Sequence, residues 1–394
     1  MYRLVLIAFV FLGFNAKAAA NDTIPFAKID SITYSFYMNG DWSRLKSEGE
    51  KLISYKIDWY YLRLRMTEAE LQLNHPGLAL KHIIKAEKFS GVNVITNNYS
   101  IRSYLLLGRY SHALFVSAID TSSSYYHLLS KNKSLKVVEL EGILKFNRNA
   151  NQGLFSGYRA GLTTYLGRRY SFYLSIQHYS QSNWVDDSLN RESMLHLGQS
   201  QFYSKINILF SHQYSILLGG QLSATRIGNS VSDNYLVFGG VEVFRPSMKY
   251  KFSLSSTNFN GTKKVISAFS VTSYPFLNTS FYHWFNFTNI YDADSAVNNL
   301  IVDFGMGGKI SKNLWADIFM TPMAYDFHTL NDYEVTFNLQ DKVDFKIGGG
   351  VSYFGWGNRG IKINFITEFM QVAGITQHKK YNQNTITLCL NWYR

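Results

Sequence analysis

Cysteine is almost missing from this chain, one residue in 394. That excludes a disulfide framework and a cysteine-rich metal site. Charge is also thin: 17% of residues are Asp, Glu, Lys or Arg, against about 25% in an average soluble protein. Beyond the first residues, no stretch reaches the ~18 apolar residues that a spanning helix requires. With a mean hydropathy of −0.12, the chain is not a helical membrane protein. What it has in abundance is aromatic side chains, 28 Tyr, 29 Phe and 7 Trp, too many for a disordered chain. The net charge of +12 permits an anionic partner. Two classes survive: a large soluble β-sandwich or barrel, and a transmembrane β-barrel.

The N-terminus points to export. Arg3 precedes an apolar run from Leu4 to Phe14, and small residues follow at Ala16, Ala18, Ala19 and Ala20. This is the pattern of a secretory signal peptide over residues 1–20, cleaved near Ala18 or Ala20. The run is about half of the ~20 residues that a membrane anchor needs.

Residues 30–120 carry a helical period. Three phrases align, Gly40-Asp41-Trp42-Ser43-Arg44-Leu45, Asn74-His75-Pro76-Gly77-Leu78-Ala79 and Gly108-Arg109-Tyr110-Ser111-His112-Ala113, so that Leu45, Ala79 and Ala113 fall 34 apart, twice. A 34-residue helix-turn-helix period is that of the tetratricopeptide repeat. Gly40 and Gly108 suit a turn that needs positive φ, and Ala79 and Ala113 suit a close helix crossing. Leu45 and Gly49 make the first repeat a departure. The expectation is a short helical-repeat domain over residues 21–130, offering a concave surface to a protein partner. His75, His82 and His112 are expected on its solvated faces.

From about residue 135 the period becomes two. Ile386, Leu388, Leu390 and Trp392 alternate with Thr385, Thr387, Cys389 and Asn391; Val343 to Tyr353 alternate with Asp344 to Ser352. A sandwich and a membrane barrel share this alternation. Strand length, aromatics crowding strand ends (Phe281, Tyr282, Trp284, Phe285) and alternating short and long connections favour the barrel. Short turns at 167–169, 211–213, 246–247, 277–279, 311–313 and 356–359, with longer loops near 148–153, 181–191, 227–233, 259–263, 291–297, 327–341 and 373–380, join 14 strands; 12 remain if the 135–166 hairpin belongs elsewhere. The fold class is therefore α plus β in two domains: a tetratricopeptide-like array, then a transmembrane antiparallel β-barrel over 135–394.

The strand phrases Gly157-Tyr158-Arg159-Ala160-Gly161-Leu162 and Leu217-Leu218-Gly219-Gly220-Gln221-Leu222, behind a signal peptide and a short repeat array, resemble the YaiO-like outer-membrane β-barrel family. The resemblance implies a Gram-negative outer-membrane location with the N-terminal domain in the periplasm. Exopolysaccharide export porins share the plan of repeats before a barrel. By that analogy the expected role is export, assembly or surface display of a glycan or protein, and a passive pore is an alternative.

One constellation could carry chemistry. His178 and Ser180 share a strand face, with Asn183 close by and Glu192 on the next strand, the elements of a Ser-His-acid hydrolase acting on lipid A or another lipid. The arrangement looks like the lipid A deacylase barrels, although Gln181 stands where they have Asn. The alternative is a set of polar strand-end residues, and no catalytic residue is assigned. No metal or cofactor site is expected: the histidines are scattered, and Gly348-Gly349-Gly350 lies inside a strand with no phosphate-loop Lys. Nucleic acid is not an expected partner. Lys263, Lys264, Lys379, Lys380 and Arg359 are candidates to meet lipopolysaccharide phosphates or a glycan. Lumenal charges at Glu139, Glu141, Lys145, Asp303, Asp344, Lys346, Lys362 and Glu368 are expected to form ion-pair ladders that close the lumen.

Overall fold

The 34-residue period is set by its turns. A helix that must reverse within two or three residues needs one residue at positive φ, and Gly40, Asn74 and Gly108 supply it at +67°, +61° and +66°. Asn is the side chain that tolerates this region best after glycine, so the middle repeat keeps the turn without a glycine. The computed structural model describes residues 25–118, 125, 129, 135–147, 152–186, 192–259, 261–330, 332, 334–356, 358–371 and 380–393; the expected signal peptide lies outside them. Three helix pairs result: α1 (Phe26–Met38) with α2 (Trp42–Ser54), α3 (Tyr60–Gln72) with α4 (Pro76–Ser90), and α5 (Val94–Leu106) with α6 (Tyr110–Ser117). First helices start at 26, 60 and 94 and second helices at 42, 76 and 110, each 34 apart. Leu45, Ala79 and Ala113 are all fully buried at the crossings. Asn93 caps α5 by accepting from the Ile95 and Thr96 amides in a capping box.

His82 and His112 are buried, not solvated. His82 turns inward to Arg63, whose Nη1 donates to His82 Nδ1 at 2.9 Å; Arg cannot accept, so this imidazole nitrogen is unprotonated. Arg63 also grips Asp58 at 2.6 and 2.7 Å. His112 packs edge-on to Phe244 at 4.4 Å. His75, half-buried, bonds Glu70 at 2.9 Å.

After the helices come β1 (Leu135–Asn147), β2 (Gln152–Leu166), β3 (Tyr170–Asp186), β4 (Glu192–Leu209), β5 (Tyr214–Ile227), β6 (Ser230–Phe244), β7 (Met248–Phe259), β8 (Thr262–Ser273), β9 (Phe281–Asp292), β10 (Val297–Lys309) and β11 (Leu314–Thr321). The short β12 (Tyr325–Leu330) precedes β13 (Val335–Trp356), β14 (Arg359–Gln371) and β15 (Lys380–Tyr393). Neighbours pair antiparallel in chain order, β15 pairs with β1 from Val137↔Tyr393 to Asn147↔Gln383, and β11 pairs with β13 across β12. The ring is therefore a closed 14-strand barrel. The 135–166 hairpin belongs to its wall, which removes the 12-strand count.

The faces are those of a membrane barrel. Outward positions include Leu140, Tyr158, Ile176, Phe202, Leu222 and Val237, all exposed, while Gln177, Gln201, Gln221, Ser255, Thr257 and Thr387 point inward and are buried. Apolar residues outside and polar residues inside invert the pattern of a water-soluble sandwich. No helix among the described residues is long and apolar enough to cross a membrane. Two expected loops are tight turns instead: Ile227 reaches Ser230 through Gly228 at φ +58°, and Phe259 reaches Thr262 through Gly261 at φ +81°. Asn-Gly at 260–261 is a two-residue hairpin signal.

The helices sit at the short-turn end of the barrel. The Gly77 amide donates to the Leu277 carbonyl at 2.8 Å, and Asn278 Nδ2 donates to the Asn74 carbonyl at 3.0 Å. The start of α4, whose first amides lack intrahelical partners, is thus capped by a barrel turn. A Cβ at Gly77 would lie 2.7 Å from the Leu277 oxygen and 2.9 Å from that of Pro246. Arg109 Nη2 donates to the Arg245 carbonyl at 3.0 Å, and Arg168 Nη1 to the Ala118 carbonyl at 3.0 Å.

Two outcomes are expected. Gly77→Val breaks the seat, so limited proteolysis frees the helical segment from a barrel that still resists unfolding in SDS; equal protease resistance in wild type and variant refutes the seat. The second concerns pH. Burial, reinforced by Arg63, Lys46 and Lys81 and opposed by Asp58, holds His82 down at about 4. Burial, with Arg109, Lys249 and His212, holds His112 at about 3. The unfolded chain protonates both near 6.5 while the folded array does not. Their contribution is therefore complete above pH 6.5 and is lost as pH falls towards 4, by about 3 kcal/mol for His82. Thermal melts of the helical signal between pH 7 and 4 check this, and His82→Gln flattens the slope.

Candidate functional site

The chain between β11 and β13 leaves the wall. Pro322, which has no amide to donate to a ladder, follows directly on Thr321, the last residue of β11. β12 then pairs with β13 by Leu330↔Val335 through Phe327↔Asn338, but Tyr325 pairs with Val343. Four residues of β13, 339–342, thus stand opposite Asp326 alone. That irregularity bends the hairpin back into the barrel. A second bulge between Val343 and Phe345 turns Val343 into the interior, where it is fully buried, contrary to the simple alternation read from sequence.

The hairpin carries its own core. Tyr325, Phe327 and Val343 pack with Phe259, Ile266, Ile290 and Ile301 in a cluster inside the barrel. The lumen is therefore not lined by polar and glycine residues throughout, as a simple pore would be. His328 is fully buried, its Nε2 3.3 Å from Asp303 Oδ2. Asp303 in turn accepts from Thr321 Oγ1 at 2.5 Å and Asn286 Nδ2 at 3.2 Å.

The tip of the hairpin is fastened by two acids. Asp332, at φ +58°, lies between Lys205 of β4, at 2.9 Å, and Lys251 of β7, and its carbonyl accepts from Tyr203 Oη at 2.8 Å. Glu334 is held by Arg159 of β2 at 2.8 Å and by Tyr173 Oη at 2.6 Å. Its carbonyl accepts from Gln177 Nε2 at 2.7 Å and Gln221 Nε2 at 3.0 Å. Two turn residues, two positions apart, thereby contact β2, β3, β4, β5 and β7. Removing one partner from such a set leaves the others as uncompensated charges, which costs far more than an exposed pair would.

On the short-turn side of the tip is a cavity of about 540 Å³ lined by Glu139, Thr163, Lys205, Asn207, Glu242 and Lys249 among others. A second, of about 240 Å³, lies between Lys145, Tyr179, Phe319, Lys346 and Glu368. The expected ladders form in part: Arg159 meets Glu141 at 2.5 Å and Glu139 at 3.7 Å, Lys145 meets Glu368 at 3.5 Å, and Lys362 meets Asp317 at 3.1 Å. Asp344 pairs instead with Lys380 at 3.1 Å. Lys264, expected free for an anionic surface, is paired with Asp292 at 2.7 Å. Arg359 begins β14 at the helix-bearing end, away from the long loops; Lys379 lies outside the described residues.

The hydrolase constellation does not assemble. His178 and Ser180 do face outward, but His178 Nδ1 lies 2.9 Å from Ser200 Oγ on β4, not at Ser180. The register sets Ser180 opposite Gly198 and Glu192 opposite Asp186, so the acid sits six residues further along the strand, roughly 20 Å at ~3.3 Å per residue. A carboxylate there cannot orient His178. A second outward pair, Ser182 Oγ with His196 Nδ1 at 2.9 Å, repeats the motif, as polar cross-strand pairing does. Among the described residues no cluster of three or more His, Cys, Asp or Glu is placed to hold a metal.

No known family profile matches the sequence, and no curated protein matches it. Among solved structures the fold is similar to the "CymD monoaromatic hydrocarbon channel" (9% identity, TM-score 0.46, 68% of this chain and 90% of that one). It is also similar to the Pseudomonas putida toluene transporter TodX (6% identity, TM-score 0.47, 66% and 89%). A third is CdiB from Acinetobacter baumannii (10% identity, TM-score 0.39, 65% and 60%). These are all outer-membrane-type barrels.

Asp332→Ala is expected to release the tip, destabilising its docking by on the order of 3 kcal/mol. A cysteine at Gln221 would then react with a water-soluble maleimide at least tenfold faster than in the otherwise unchanged protein. Equal rates would show that the acid does not hold the hairpin.

Proposed function

We propose that this chain is a gated transport component of an outer membrane, acting in export, assembly or surface display of a glycan or protein. In this reading the β12–β13 hairpin is the gate and the helical pairs are a tetratricopeptide-like docking array on the periplasmic side. The observation that carries it is the ion-paired hairpin tip inside the lumen. A permanently closed structural barrel has no need to fill its interior with polar side chains. A permanently open pore has no need for Asp332 and Glu334 to bridge five strands. An interior that is polar, cavity-bearing and sealed by charge pairs suits a seal that is meant to be displaced.

The position of the helices supports the same reading. They sit against the short turns and make contact through the second and third pairs. A partner on the array would meet cargo where it enters or leaves the lumen. The YaiO-like resemblance and the 34-residue recurrence of helix starts agree with this arrangement.

Planar-bilayer recording of the full chain tests the proposal. Wild type is expected to stay mostly closed. Lys205→Glu with Lys251→Glu, which repels Asp332, is expected to conduct steadily, as is a chain in which residues 325–341 are replaced by a short Gly-Ser turn. Closed behaviour in both altered chains, with the barrel still folded in SDS, overturns the gate. Steady conductance of wild type makes the protein a passive pore.

A further inference from the structure

Where the helices meet the barrel turns, the two halves enclose a cavity of about 510 Å³. Its floor is apolar: Leu80 and Tyr104 from the helices, and Phe244 from the end of β6, are all buried. Its edge is cationic, and the cations come from both halves. Lys81 and Lys85 stand one turn apart on α4 and are exposed; Arg109 precedes α6; Arg245 belongs to the turn after β6.

These charges have little to oppose them. Among the described residues lining the cavity none is acidic. Arg63 also lines it but is already committed to Asp58 and His82. Arg109 donates to a carbonyl and lies over the Phe244 ring at 5.5 Å, and Arg245 Nη1 donates to Gln213 Oε1 at 2.5 Å; both are neutral acceptors. Glu87 shares the Leu80 side of α4 and its charge reaches Tyr104, but it does not line the cavity. Lys81 and Lys85, at i and i+4, repel each other. Burial depresses His82 and His212, so neither adds charge at neutral pH. Four uncompensated cations around an apolar pocket raise the local concentration of anions. An apolar pocket with a few convergent charged groups is the usual form of a small-molecule site.

We propose that this junction binds an amphipathic organic anion, its hydrocarbon or aromatic body against Leu80, Tyr104 and Phe244 and its carboxylate or phosphate between Lys81, Lys85 and Arg245. Because the lining comes from both halves, the ligand bridges the helical array to the barrel. The site does not depend on whether the lumen conducts. The same chemistry could come from a free carboxylate or from a phospholipid of the adjoining leaflet.

The test uses the full chain in nanodiscs of zwitterionic lipid, with calorimetric titration of octanoate, octyl phosphate and octanol against empty nanodiscs. Either anion is expected to bind at least tenfold more tightly than octanol. Lys81→Gln with Lys85→Gln abolishes that preference, whereas Lys88→Gln, exposed on α4 but outside the cavity, preserves it. If the anions lose their binding in nanodiscs containing phosphatidylglycerol, a lipid is the occupant; if they keep it, the ligand is a free anion. The site is refuted if octanol binds as tightly as the anions in wild type, if the double variant keeps the preference, or if Lys88→Gln removes it equally.

Discussion

A backbone amide facing hydrocarbon has nothing to bond with, and each such group left unpaired costs several kcal/mol. Closure of the sheet is the constraint on which the rest of this molecule depends. It is met at two seams: β1 against β15, where the ends of the barrel segment join, and β11 against β13, where β12 has been passed over. Once the wall is closed without β12, the β12–β13 segment has no edge to extend and only the interior to occupy. The hairpin, its apolar core and its charged tip all follow from that second seam.

The interior is a compromise between two demands. Near β12 it behaves like a protein core, with Phe259, Ile266, Ile290, Phe327 and Val343 packed together. Towards the short-turn end it becomes polar, with Arg159, Lys205 and Lys251 set on three different strands. A hairpin of uniform polarity could satisfy only one of these zones. Its apolar stem and acidic tip match both, and the match is directional, since reversing the tip would put Asp332 and Glu334 into the apolar zone.

Much of the architecture was legible in the sequence because periodicity survives in one dimension. The 34-residue recurrence located Leu45, Ala79 and Ala113 at buried crossings, and the alternation at 385–392 assigned Thr385, Thr387 and Cys389 to the interior. Strand count was legible too, since each turn marks one reversal. Asn260-Gly261 carried a turn signal that the strand pattern around it obscured. The site was far less legible. Asp332 and Glu334 lie in the long 327–341 connection, and nothing in one dimension tells an outward loop from one folded inward by four unmatched residues. Arg159 appeared only as part of a strand phrase. His178 and Ser180 misled in the opposite sense, because proximity in sequence does not fix register, and eight residues along a strand separated the acid from the base. His82 and His112 looked solvated because their partners lie well apart in the chain, Arg63 on the preceding helix for His82 and Phe244 of the barrel for His112.

The β11–β13 seam has a consequence for the order of events in making the barrel. Arg159, Lys205 and Lys251 precede the hairpin tip by between 81 and 175 residues, and eleven wall strands lie ahead of β12 in the chain. Contacts between such distant segments form after the local hairpins that they join. A nascent barrel complete through β11 already presents its basic receptors, with nothing to fill them. The hairpin tip is among the last pieces to find its partners, so Arg159, Lys205 and Lys251 wait without Asp332 and Glu334 until β12 and β13 are in place.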